Sequence, residues 1–186
     1  MVTAISRLGL GLAVLSLGLA GCAGSSTGPF SWQHPQAAPT QWKVAVISTG
    51  ASLAYPPSWR AQRGDTGTAT AALMGPRDRF LGYLNLTPRQ GDETLANWSS
   101  FRVEHVAEDG DHNVRRLAAA QRLRFLSGQG SCVKDAYTTR TNQRFVEIAC
   151  LVSGGQGESV IVAAAPPQVW DRESATLERA IDAVRA

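Results

Sequence analysis

The chain of 186 residues carries 18 Lys and Arg against 15 Asp and Glu, a formal net charge of +3 at pH 7. With Arg7 set aside in the N-terminal apolar segment, 17 basic side chains face 15 acidic ones, too even a balance for a nucleic-acid partner. The length suits one domain with a proper core, and the use of Arg almost to the exclusion of Lys (Lys43 and Lys134 alone), amid abundant Ala and Gly, points to a high-GC bacterial genome.

In chain order, Arg7 and an apolar run from Leu8 to Ala20 have the layout of a secretory signal peptide, and the run is short for a membrane span. It ends in Leu19-Ala20-Gly21-Cys22, which resembles the lipobox of bacterial lipoproteins. The resemblance implies cleavage after residue 21 and diacylglycerol on the Cys22 thiol. Two acyl chains anchor firmly, because each buried methylene contributes about 0.8 kcal/mol. The expected location is the extracytoplasmic face of the cell membrane, or the outer membrane in a diderm. Residues 22–41 are rich in Gly, Ser, Thr, Pro, Gln and Ala and are expected to form a flexible tether. Phe30, Trp32 and His34 are read as incidental to that spacer, with the membrane interface or the domain surface as alternative places for them.

The folded unit is expected over 42–186. A first strand is predicted from Trp42 to Ile47, and an extended segment at Ser52–Tyr55 is stopped by Pro56-Pro57, after which Trp59 anchors the core. Arg60–Thr66 is predicted to be a turn. Thr68–Met74 and Arg79–Leu86 are predicted strands joined through Gly75-Pro76-Arg77-Asp78. Asp92 is predicted to cap a helix whose Leu95, Trp98, Phe101 and His105 face the sheet. Val114–Leu126 has mixed periodicity, with a strand expected at its end. The pairs Cys132–Thr139 with Arg144–Val152, then Val160–Ala164, complete the strands. Asp171 is expected to cap a last helix that buries Ser174, Leu177, Ala180 or Ile181, and Val184.

With Cys22 assigned to lipid, Cys132 and Cys150 remain as an even pair, and an exported chain permits a disulfide between them; two buried thiols are the alternative. A three-residue loop at Arg140-Thr141-Asn142 sets Cys132 directly opposite Cys150. The same register favours Tyr137 against Phe145 but opposes Asp135 to Glu147, a clash that a bulge would relieve.

Tyr55-Pro56-Pro57-Ser58-Trp59 after a first strand resembles the Tyr-Pro-x-x-Trp element of the PsbP-like and Mog-type superfamily. Gly130-Ser131-Cys132, Val160–Pro166 and the final helix to Arg185 follow in the same order. The resemblance covers 42–186 and implies an α+β fold, an α/β/α sandwich whose mostly antiparallel sheet is flanked by helices. Tyr55, Pro56, Trp59 and Trp98 are then its fold anchors. Lipidated members of this superfamily include the LpqN-type envelope lipoproteins of actinobacteria. The superfamily binds partners or assists assemblies and brings no catalytic motif to carry over.

The sequence contains no nucleophile elbow, phosphate loop or dinucleotide fingerprint, and no zinc spacing around His34, His105 or His112, so no catalytic residue, metal or cofactor is assigned. Asp109, Asp111 and His112 read as a solvated loop, and Ser153–Gly157 as a hairpin turn. Arg115, Arg116, Arg122 and Arg124 read as a solvated face, with anionic headgroups as the alternative contact. Three functions remain in descending order: a lipid-anchored module for an envelope protein partner, a carrier or sensor of a lipid or cell-wall ligand, and a small hydrolase. A dry cavity between Trp98 and the sheet would favour the carrier.

Overall fold

The computed structural model describes residues 28–186. Leu19, Ala20, Gly21 and Cys22 lie outside the described residues. Within them run β1 (Lys43–Val46), β2 (Ser52–Tyr55), β3 (Arg60–Gln62), β4 (Ala69–Met74), β5 (Phe80–Pro88), α1 (Trp98–Glu108), β6 (His112–Phe125), β7 (Gly128–Thr138), β8 (Arg144–Gly154), β9 (Gly157–Ala165) and α2 (Pro167–Asp182). Strands β3 to β9 form one seven-stranded sheet in the order β3-β4-β5-β9-β8-β7-β6, antiparallel throughout, while β1 and β2 pair in a separate hairpin.

Alternation along the central strands sends side chains to two cores. On one face Ile148, Cys150, Val152 and Ile161 meet Leu177, Ala180 and Ile181 of α2, with Leu53 and Tyr55 of the hairpin beside them. On the other face Val133, Tyr137, Phe145, Ala149, Leu151, Val160 and Val162 meet Trp98 and Val106 of α1. A helix on each face of one antiparallel sheet makes the molecule an α+β sandwich. The long runs of buried residues in β8 and β9 follow from being covered on both sides.

The β7–β8 hairpin has the register expected from its loop, with Tyr137 opposite Phe145, Asp135 opposite Glu147 and Cys132 opposite Cys150. Asn142 closes the turn at φ 59°, a left-handed backbone that Asn tolerates better than most residues. The structure joins Cys132 to Cys150 at a Cα separation of 4.1 Å, on the α2 face. Pairing runs unbroken past Asp135 and Glu147, so the bulge expected to relieve them is absent; relief comes from α1 instead.

Several boundaries differ from expectation. Arg60–Gln62 is a short edge strand rather than a turn, and its three exposed residues offer no alternation to read. Helix α1 begins at Trp98, not after Asp92, because Thr94 and Asn97 hydrogen-bond each other's backbone and side chains and hold a turn ahead of it. Helix α2 starts at once after Pro166, with Pro167 in the first-turn position that proline favours, and exposed Asp171 lies inside it. All of His112–Phe125 is strand. Three register shifts, with Asn113 and Arg122 at positive φ, break its alternation.

The segment after Gly28 lies on the domain rather than forming a flexible tether. Phe30 is buried, Trp32 packs on the α2 core, and the His34 amide donates to both Asp182 carboxylate oxygens at 3.1 and 3.2 Å. Arg179 donates to the carbonyls of Gln36 and Ala37. Burial raises the Asp182 pKa, and the His34 amide opposes that shift.

Candidate functional site: a cleft beneath α1

Helix α1 carries Trp98, Phe101 and His105 at three- and four-residue spacing, so the rings lie along one side of it. They stack in sequence, Trp98 on Phe101 at 6.2 Å between centroids and Phe101 on His105 at 5.9 Å. Trp98 fixes the helix to the sheet: its buried indole donates to the Ala149 carbonyl at 2.9 Å. Between this ladder and strands β5 and β9 lies a cleft of 610 Å³. Tyr83, Val160 and Val162 contribute apolar lining, and Asp65, Glu93, Arg102 and Asp109 bring charge to it.

Arg102 leads inward from the cleft. Its Nε donates to Glu147 Oε1 at 2.7 Å, and the Tyr137 hydroxyl donates to Glu147 Oε2 at 3.3 Å. Glu147 is fully buried, as is Asp135 opposite it, and neither Asp135 oxygen has a hydrogen-bond partner. Burial, and then the Glu147 charge, push the Asp135 carboxyl up to about 8, toward its neutral form. Burial works against the Arg102 cation, but Glu147 outweighs it and holds the guanidinium more firmly protonated than usual. Burial first, then the Glu147 charge, also raises the phenols of Tyr83 and Tyr137. Beneath α1 the sheet therefore buries two carboxyl groups, Glu147 paired with Arg102 and Asp135 shifted toward its neutral form.

At the opposite side of the cleft, the 88–93 loop turns Glu93 inward, leaving it 4% exposed. Its Oε1 accepts the Gln90 amide at 3.0 Å; its Oε2 is buried without a partner. Two cations approach this region, and each is already engaged: Arg89 with Glu158 at 2.7 Å, and Arg102 with Glu147.

Of the residues singled out in the sequence, Trp98, Phe101, His105 and Asp109 line this cleft, and the fold anchors Tyr55, Pro56 and Trp59 and the cysteine pair lie apart from it. Tyr55 and Trp59 are buried in the α2-side core, Pro56 follows the end of β2, and the cysteine pair lies on that same face. His105 is half-exposed at the rim, 3.7 Å from Asp109. Among the described residues no group of three or more His, Cys, Asp or Glu could hold a metal, and no helix is long and apolar enough to cross a membrane. Sequence reasoning missed Glu93, Arg102 and Tyr83. The Asp135–Glu147 clash was the one signal that charge is buried on this side.

No protein-family model matches the chain, and no curated protein does either. Solved structures do share its fold. The solution structure of cyanobacterial PsbP (CyanoP) from Synechocystis matches with a TM-score of 0.57 at 12% identity, over 78% of this chain and 92% of that one. The crystal structure of a Pseudomonas aeruginosa protein of unknown function matches at 0.52 and 10% identity, over 78% and 97%. LpqN of Mycobacterium tuberculosis, involved in cell envelope biogenesis, reaches 0.42 at 12% identity over 78% and 91%, short of a shared fold. The chain therefore has the PsbP-like fold.

Proposed function

We propose that the chain is an extracytoplasmic lipoprotein, anchored through Cys22, whose sandwich domain is a non-catalytic binding module for an envelope protein. The cleft beneath α1 carries the binding reading: its volume is that of a recognition site, and its lining combines stacked rings with a few fixed polar groups. The location is supported by Leu19-Ala20-Gly21-Cys22 and by the Cys132–Cys150 disulfide, which belongs to an oxidising compartment. A lipid carrier fits this cleft less well. Trp98 closes on the sheet with its indole satisfied, and Asp65, Glu93, Arg102 and Asp109 would meet an acyl chain with charge.

Two measurements in cells test this reading. Labelled palmitate should enter the wild-type protein and not Cys22→Ala, which should leave the membrane fraction; undiminished membrane retention of the variant would sink the anchor. Crosslinking in the native membrane should then capture one envelope protein reproducibly. A purified domain that instead retains a lipid or glycan, with no protein captured, would replace the adaptor by a carrier.

A further inference from the structure

We infer that the cleft beneath α1 is a receptor for a single cationic side chain, a lysine or arginine presented by the protein partner, seated between the Glu93 carboxylate and the Phe101 ring. The inference rests on the binding-module reading and names what that module recognises.

Glu93 defines the occupant's chemistry. It is 4% exposed, and its Oε2 is buried with no donor near enough to satisfy it. A buried carboxylate oxygen without a partner is costly, so the fold carries an unmade hydrogen bond inside the cleft. A carboxylate only accepts, and a cationic N–H makes the stronger, charge-assisted bond. Gly91 lets Glu93 fold this close to the backbone: a Cβ there would stand 2.8 Å from Glu93 Oε2, too near without a shift of that carboxylate, and 3.6 Å from Phe101 Cζ. The carboxylate oxygen and the aromatic ring thus both lie beside Gly91 in the cleft wall.

The surroundings favour the same charge. Asp65 and Asp109 also line the cleft, whereas Arg102, the lining arginine, is neutralised by Glu147. The ring ladder of Trp98, Phe101 and His105 offers a flat apolar strip to the methylene stem of a lysine or arginine, whose charged end then reaches Glu93. At 610 Å³ the cleft exceeds what one side chain fills, leaving room for the peptide that carries it.

The test is a calorimetric titration of the full chain in detergent with three probes: alanine pentapeptides with a central lysine or a central acetyl-lysine, and free pentylamine. The lysine peptide should bind at least tenfold more tightly than the acetylated one, and tenfold more tightly than pentylamine. Glu93→Gln should remove that preference, and so should Gly91→Ala, whose Cβ forces the Glu93 carboxylate out of position without removing its charge. Glu104→Gln, on the exposed side of α1, should change nothing. Equal binding of the lysine and acetyl-lysine peptides, or a preference that survives both Glu93→Gln and Gly91→Ala, overturns the cation site. Binding of pentylamine as tight as the peptide's overturns the protein source in favour of a diffusible amine. The titration uses neither the anchor nor a natural partner, so failure of all three probes defeats this inference while palmitate labelling and crosslinking still stand.

Discussion

The two faces of the sheet are built on opposite terms. On the α2 side, Ile148, Val152, Ile161, Leu177 and Ile181 are fully buried, and the Cys132–Cys150 bond lies among them. On the α1 side the same strands bury Asp135 and Glu147, bring in Arg102 to meet them, and leave a cleft at the edge. Buried ion pairs rarely improve on apolar packing in stability. The α2 face is mainly apolar, with Asp182 held at its margin by the His34 amide, while the α1 face carries a buried ion pair at its centre; the first stabilises the fold and the second recognises.

The largest effect should come from unbalancing the charged face. Arg102→Met leaves the buried Glu147 carboxyl without its cation, and should cost about 3–5 kcal/mol in urea unfolding. Replacing both partners, as Arg102→Met with Glu147→Leu, should recover most of that loss, because the burial of charge goes with the pair. A double variant no better than the single one would mean that the pair stabilises outright, and the contrast between faces would collapse.

Next in size is the apolar face. Cys132→Ala with Cys150→Ala opens a loop spanning 18 residues and should cost about 3 kcal/mol. It should leave lysine-peptide binding intact, since the bond lies across the sheet from the cleft. Loss of binding in a still-folded variant would show that the faces are not independent.

A slope with pH comes last, since it is read from the trend of stability and not from one unfolding curve. Asp135 ionises near pH 3.8 as an ordinary side chain and at about 8 in the fold, so between those values the native state holds the extra proton. Its contribution is fully present below about pH 4 and is lost as pH climbs through 8. Asp135→Asn, always neutral, should flatten that decline between about pH 4 and 8; parallel curves for the two proteins would mean that Asp135 is already ionised in the native state.

Local features were the legible ones. Turn length fixed the β7–β8 register, because in a hairpin a loop of known size leaves no freedom for the strands it joins. Ring spacing on α1 was visible in Trp98, Phe101 and His105 wherever the helix began. The partner of the Asp135–Glu147 clash was not visible: Arg102 lies 45 positions before Glu147 and meets it only when helix docks on sheet. Glu93 looked like any acidic residue in a loop, since nothing local distinguishes a solvated carboxylate from one folded under. In β6 the register shifts erased the period of two that marks a strand. Phe30 and Trp32 were the sign that the spacer docks, two large apolar side chains that a purely solvated linker has no use for.

That docking sets a distance. With lipid on Cys22 as proposed, only residues 23–29, seven in all, separate the anchor from buried Phe30. Fully stretched they span about 25 Å. The domain is then moored on a short leash, a fixture of the bilayer surface with a small radius of action, and whatever it grips must come to the membrane to be gripped.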